Sequence, residues 1–378
     1  MKKKSALLLL LVSFIIMISY IGSLSMRRDN EIVGKVLRVD NSRLIKRGVG
    51  SVGEQKLTLK ITGGEDKGET IEATNRLNGD REYDEFYSVG DRVVAGVLKE
   101  NGKIIKARAL TTYRFGYLIA LFSVFAGSLI LYSGTTGIKS LLSFFMTVFF
   151  ICKYMIPRIL DGQNPLLVAM LTLILLTCVI IFSIGGLNRR GVSAFAGAVT
   201  GLGTSVLLTY TFMRLLNLDG FTLPMAQGLL MSGNFTLNFR EIYFVSIIIG
   251  ASGAAMDIAM DIASSIEELR TANPEITRKE LLKASFNIGN AVVGTMSTTL
   301  LLAYSGGNIT LMMYTADRGL PLFAMLNGKI MAAEIARTLI GTISLIMVAP
   351  STAILSIFIY EGKRAEKIEN NFKVQADI

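Results

Sequence analysis

The chain has 378 residues, of which 51% are hydrophobic and 18% charged, with a mean hydropathy of +0.50. Soluble domains carry roughly 25% charged residues, and apolar runs here recur near bilayer length, so a polytopic membrane protein is expected and a soluble enzyme is excluded. The absence of histidine removes imidazole-based triads, proton relays and metal sites, and the two cysteines, Cys152 and Cys178, lie in apolar stretches and make neither a disulfide framework nor a zinc site.

The net charge of +10 does not point to nucleic acid. Residues 29–113 hold 15 Lys/Arg against 14 Asp/Glu and are almost neutral. The excess flanks the apolar runs, at Lys2–Lys4, Arg189–Arg190, Arg278–Lys279 with Lys283, and Lys363–Arg364 with Lys367. Basic residues near membrane helix ends stay on the cytoplasmic side, so the charge reads as a topology signal with anionic lipid as its neighbour.

The first apolar run, Ser5 to Ser25, follows three lysines. Residues 1–28 are a retained signal-anchor helix or a cleavable signal peptide; the run is just long enough to span and is read as retained. Either reading sends the next segment outside.

Residues 29–113 alternate polar and apolar side chains in Gly34–Val39, Lys56–Ile61, Glu69–Thr74, Arg92–Val97 and Lys103–Ala109. Period two is the strand signature. Turn signals separate the runs at Gly63-Gly64, Asn78-Gly79 and Asn101-Gly102, the last a type I′ hairpin signal. Five half-buried strands predict a small all-β, OB-like barrel. With balanced charge and no aromatic stacking surface, oligonucleotide binding is disfavoured. Tyr83, Phe86 and Tyr87 in an acidic loop are a protein-contact patch or simple loop anchors.

From residue 114 to 361 the chain reads as membrane, with spans at 115–133, 138–156, 165–185, 192–216, 241–263, 286–304 and 338–360. With the first run that makes eight, an even number that puts both termini on one side. The Arg189 loop, the Glu267–Lys283 loop and the tail all fall inside. The implied topology is that of a bacterial plasma membrane protein with cytoplasmic termini and an external β domain. The polar tail, 362–378, is expected to lack regular structure.

Four features bear on chemistry. Asp257 and Asp261 are four apart and share one helix side in the inner half of the sixth span. An intramembrane carboxylate is a functional site by default, and such a pair can bind a cation or share a proton; the competing reading puts both in the headgroups. The seventh span carries Asn287, Asn290, Thr295, Thr298 and Thr299, either a pathway-lining face or hydroxyls satisfied by their own helix. Ser305-Gly306-Gly307-Asn308 followed by a half-length apolar piece suggests a re-entrant or discontinuous helix. Glu334 and Arg337, three apart and set to pair on one face of the last span, are secondary candidates, with an ion pair that holds the helix in place favoured over a substrate site. Apart from these four, Thr277 and Glu280 form a capping box for a short amphipathic helix ahead of the seventh span, read as interfacial with Leu281, Leu282 and Phe286 on the membrane surface.

At these motifs the chain resembles the YibE/F-like family of bacterial multi-pass membrane proteins. The resemblance rests on Gly90-Asp91-Arg92-Val93, Asn164-Pro165-Leu166-Leu167, Gly186-Leu187-Asn188-Arg189, Met256-Asp257-Ile258-Ala259, Asn273-Pro274, and Asn287-Ile288-Gly289 with Gly294-Thr295-Met296. It covers nearly the whole chain. It implies the architecture and carries no established activity. Family members typically place Arg-Asp after Asn-Ile-Gly and an Asn in the Thr-rich run, where this chain has Asn290-Ala291 and Thr298. If that Arg-Asp pair handles ions or protons, this chain differs in mechanism, while Asp257 keeps its place.

The expected function is a secondary transporter or permease. Asp257 would be its cation or proton site, Asp261 a helper, and the polar residues of the seventh span its path. No Walker A sequence is present for ATP-driven transport, and no cofactor or metal is expected. A scaffold or sensor that offers the outer β domain to a protein partner is the alternative. An intramembrane enzyme is disfavoured, because both acids sit on one helix and no nucleophile–base pair stands out. The expected partners are the lipid bilayer and a small solute or cation, with no nucleic acid.

Overall fold

In a computed structural model the described residues are 30–63 and 66–376, with side chains as far as Tyr360. The first expected span lies outside them. The described chain forms two compact units that divide at Gly134.

The first unit opens with five strands, β1 (Glu31–Arg47), β2 (Gly50–Ile61), β3 (Thr70–Asn78), β4 (Arg92–Glu100) and β5 (Lys103–Thr112). They close into a barrel in the order β1-β2-β3-β5-β4, the arrangement of an OB-like barrel. Every pairing is antiparallel except β3 with β5, which is parallel. The long β1 serves two neighbours, Glu31–Lys35 pairing with β4 while Gly34–Arg47 pairs with β2, with register shifts between Val36 and Arg38 and between Asp40 and Arg43. Such bulges bend a strand around a barrel. Alternation sends Leu57, Leu59 and Ile61 inward to meet Val36, Val93 and Tyr87, and the small residues Ala73, Ala95, Ala107 and Ala109 let the strands draw together. The Asn101-Gly102 turn has both residues at positive φ, 50° and 78°, as type I′ requires.

The barrel core also holds polar groups, each with a partner. Gln55 is fully buried; its Nε2 donates to Asn41 Oδ1 and to the Tyr87 carbonyl, both at 2.9 Å, and its Oε1 accepts from Asn75 Nδ2 and the Tyr87 N–H. Glu85 is the second hub. It accepts from Thr112 Oγ1 at 2.6 Å, Arg114 Nη1 at 2.7 Å and Thr111 Oγ1 at 3.0 Å, and from the Thr112 N–H. This ties the Asp80–Phe86 loop to the end of β5. Of the three aromatics in that loop, Tyr87 is a buried anchor, while Tyr83 and Phe86 stay exposed.

Six helices among the described residues are long and apolar enough to cross a membrane. The first runs Phe115–Leu160, built from α1 (Phe115–Phe150), a π turn (Ile151–Met155) and α2 (Ile156–Leu160). It covers the two expected spans 115–133 and 138–156. Gly134, at φ 53° and ψ −125°, breaks the helical geometry between them, a conformation open mainly to glycine.

The second unit continues with α3 (Pro165–Gly185), α4 (Arg189–Leu215), α5 (Ala226–Met231), α6 (Phe239–Ala272), α7 (Arg278–Gly307), α8 (Ile309–Asp317), α9 (Leu322–Asn327) and α10 (Lys329–Ala376). Local chemistry starts four of the long helices. The side chains of Asn164, Asn188 and Asn238 accept from the third residue of their helices, Pro165 follows at the first helical position, and Thr277 with Glu280 makes the predicted capping box. Helix α10 stays helical to Ala376, where the sequence suggested no regular structure; it is a continuation of the helix of the last span.

Helix α6 is the hub, packed on α3, α4, α7 and α10. Its Ile258, Ile262 and Ile266 meet Ala194 and Ala198 of α4 and Val348 of α10. Small residues let α4 and α10 touch. A Cβ added to Gly197 would lie 1.9 Å from Thr352 Oγ1, and one on Gly201 would lie 2.2 Å from Val348 Cγ2. This is the small-xxx-small packing of membrane helices. A buried hydrogen bond of 2.6 Å from Ser205 to Ser344 crosses the same seam.

Candidate functional site

Asp257 lies near the midpoint of the 34-residue α6, about 27 Å from its first residue and about 22 Å from its last at 1.5 Å per residue. Asp261 is about 17 Å from the last residue by the same measure. Both carboxylates are exposed, although their neighbours Ile258, Ala259 and Ile262 are fully buried. Gly250 and Gly253 continue the exposed stripe toward the start of the helix. The helices are close at Gly250, where an added Cβ would come within 2.6 Å of Tyr304 Oη, and open at Gly253, where it would meet nothing within 4 Å. The stripe is therefore a shallow face of small side chains with two carboxylates one turn apart.

Asn287, Asn290, Thr295, Thr298 and Thr299 of α7 are also exposed. The helix packs through another side, with Leu281, Ser285 and Gly289 buried and Met296 and Leu300 partly so. The three threonine hydroxyls donate to carbonyls of the preceding turn: Thr295 to Val292 O at 3.0 Å, Thr298 to Gly294 O at 3.2 Å and Thr299 to Thr295 O at 3.0 Å. Their polarity is satisfied locally, and each hydroxyl oxygen keeps lone-pair capacity. At 100° per residue these five positions do not form one stripe: Thr295 and Thr299 lie on one flank, Asn290 on the other, and Asn287 and Thr298 opposite the packed side.

Glu334 and Arg337 form a second polar centre. Arg337 Nη2 is 3.5 Å from Glu334 Oε1, and both side chains are more than four-fifths buried. The helix break enters here. Helix α7 ends at Gly307, and Asn308 donates to Glu334 Oε2 at 2.9 Å and to the Tyr304 carbonyl at 3.1 Å. The Arg337 guanidinium also lies 5.2 Å from the Tyr243 ring centroid, within cation–π range, and Tyr243 Oη donates to Ala333 O at 2.6 Å. After the break, α8 has nine residues, about 14 Å of helix, which is too short to cross a bilayer.

The Glu334–Arg337 pairing was readable from spacing. The contributions of Asn308, Tyr304 and Tyr243 were not, because no local pattern joins residues on three helices. Among the described residues no group of three His, Cys, Asp or Glu side chains is placed to hold a metal ion.

A closed OB-like barrel joined to a bundle of apolar, span-length helices, two of which carry carboxylates on otherwise apolar sequence, defines a multi-pass membrane protein. The sequence matches the YibE/F-like protein family over residues 121–362 and the YibE/F family N-terminal domain over residues 29–111. The chain belongs to the YibE/F-like family. No curated protein and no solved structure matches it.

Proposed function

We propose that this protein is a secondary transporter or permease for a small solute or cation, with Asp257 as its cation or proton site and Asp261 as the helper one turn away. The observation that carries this reading is the place of Asp257 at mid-length on α6, the hub helix of the bundle. A helix of 34 residues is about 51 Å long and overreaches a hydrocarbon core of about 30 Å. Centred in the bilayer, it holds both carboxylates at hydrocarbon depth, where an unpaired charge is costly and is retained for a use. Asn290, Thr295 and Thr299 flank the packed side of α7 and supply oxygen atoms from its two edges, while Asn287 and Thr298 face farther out. The basic loops favour cytoplasmic termini in a bacterial plasma membrane and an external barrel.

A scaffold or sensor role is the second reading, favoured by exposed apolar side chains on the barrel. Ile45, Val49 and Phe86 are 72%, 81% and 54% exposed, enough to offer a protein partner a contact surface.

The test is thiol labelling of Asp257→Cys in a Cys152→Ser, Cys178→Ser background, with a charged impermeant reagent applied from each side. Protection from both sides that changes with pH or with an added cation supports transport. Free labelling from one side under all conditions removes the transport mechanism and leaves the scaffold reading.

A further inference from the structure

At the end of the bundle where α3 gives way to α4, the lining of an open cavity of about 470 Å³ includes Asn188, Arg189, Glu267, Arg270 and Tyr360. We propose that this cavity binds a phosphate group, carried by a lipid headgroup or by a soluble phosphate ion.

Charge is the first argument. The lining holds two guanidiniums, Arg189 and Arg270, and one carboxylate, Glu267, which a third guanidinium, Arg190, contacts from outside the lining. That carboxylate is already engaged, since Arg190 Nε lies 3.5 Å from Glu267 Oε2 while Arg190 Nη2 donates to Gly185 O at 3.1 Å. Arg189 is held in place by its guanidinium over the Tyr360 ring, 5.6 Å from the centroid, and by a 3.5 Å contact from Nη1 to the Tyr360 carbonyl. The cavity therefore keeps a positive surplus on pre-positioned side chains.

Unused donors are the second argument. Arg270 Nε and Tyr360 Oη are both buried, and neither has a hydrogen-bond partner among the described residues. Buried polar groups normally find partners, so two orphaned groups on one cavity wall call for an acceptor. Helix α4 adds a third contribution, because its 27 residues begin at Arg189 and a helix N-terminus favours an anion. Several guanidinium forks around one group suit the planar, bidentate recognition of phosphate oxygens, and basic pockets between membrane helices take lipid head groups.

The full chain would be reconstituted in phosphatidylcholine nanodiscs and titrated calorimetrically with inorganic phosphate. In parallel, native mass spectrometry would count lipids retained from an equimolar mixture of phosphatidylglycerol and phosphatidylcholine. Saturable phosphate binding assigns a soluble ligand. Retention of about one phosphatidylglycerol at least tenfold over phosphatidylcholine, without phosphate binding, assigns a headgroup. Arg270→Gln should weaken whichever binding is seen at least tenfold, and Tyr360→Phe, which keeps the ring that supports Arg189, should weaken it severalfold. Should Arg270→Gln fail to elute as a single folded species, Arg270→Lys and Tyr360→Phe carry the comparison. The proposal is overturned if the wild-type chain binds neither probe, or if the folded variants bind as tightly as wild type.

Discussion

Replacement of Glu85 by Ala tests whether its hydrogen-bond hub closes the barrel. Burial by itself would raise the Glu85 pKa, but the hydrogen bonds from Thr112, Arg114 and Thr111 outweigh it and hold the carboxyl at about 2, down from an ordinary 4.5. Unscreened, that depression corresponds to about 3.4 kcal/mol of folded-state stabilisation. The side chain of Arg114 is 59% exposed and that of Glu85 26%, so solvent screening reduces the pH-dependent part to about 1–2 kcal/mol. Truncation also strands the Thr112 N–H, which brings the expected loss to about 2–3 kcal/mol. The assay is thermal unfolding, followed by circular dichroism, of a fragment spanning residues 29–114. That fragment should fold alone, because the barrel is closed and has its own core. For a domain of this size each kcal/mol moves Tm by about 4–8 °C, so Glu85→Ala should melt roughly 10–20 °C lower at pH 7. A carboxylate whose folded pKa is depressed gives its stability above the unfolded pKa and loses it as pH falls through the folded one. The gap between wild type and variant should thus be constant above about pH 5 and shrink progressively from pH 4.5 toward 2. A gap below about 0.5 kcal/mol, or one unchanged between pH 7 and pH 2.5, refutes the reasoning.

Further outcomes follow from the bundle. Gly201→Leu must push α10 away, since the first added carbon already meets Val348, and should abolish the monodisperse gel-filtration peak of the detergent-solubilised chain; Gly203→Leu, which points into open space, should leave it intact. Arg337→Gln leaves Glu334 buried without its counter-charge and should cost about 3–5 kcal/mol, whereas the double variant with Glu334→Gln should recover most of that in thermal unfolding. Asp257→Asn, at an exposed position, should hold stability within about 0.5 kcal/mol of wild type, so that any loss of transport traces to the carboxylate and not to the fold. Gln55→Leu in the barrel fragment should cost about 3 kcal/mol or more, because Asn75 and the Tyr87 N–H lose their acceptor in a dry interior.

The barrel was the most legible part of the sequence, for a physical reason. Each strand has one wet and one dry side, and Lys56–Ile61 writes that alternation into adjacent letters. Strand extent was less readable. β1 continues eight residues beyond the expected Val39, because Asp40–Arg47 is an arm of mostly exposed side chains that pairs with Gly50–Lys56. Such an arm has no dry side to impose a pattern. In the bundle, spacing announced Glu334–Arg337 and the Thr277–Glu280 cap, since both lie within one turn. Asn308 reaches Glu334 across 26 residues and Tyr243 reaches Ala333 across 90, and only packing brings those together.

The arginines of the α3–α4 junction show how one sequence signal can carry two physical roles. Arg189 and Arg190 flank an apolar run, and by composition alone they read as charges that fix orientation. An orienting charge needs only to stay in water, so its side chain has no reason to be fixed. Arg190 is fixed, by Glu267 and by the Gly185 carbonyl, and Arg189 by the Tyr360 ring. Side-chain immobilisation costs entropy, up to about 2 kcal/mol for an arginine, and exposed ion pairs return about 0–1 kcal/mol. Orientation alone does not offset that cost, whereas a pre-positioned anion cavity does once its ligand is bound. On the same criterion the carboxylates of α6 differ from these arginines. Asp257 and Asp261 are exposed on a face with open space at Gly253, so a cation reaching the proposed site would arrive along that face, and the proposed cation and phosphate sites are tested by separate substitutions.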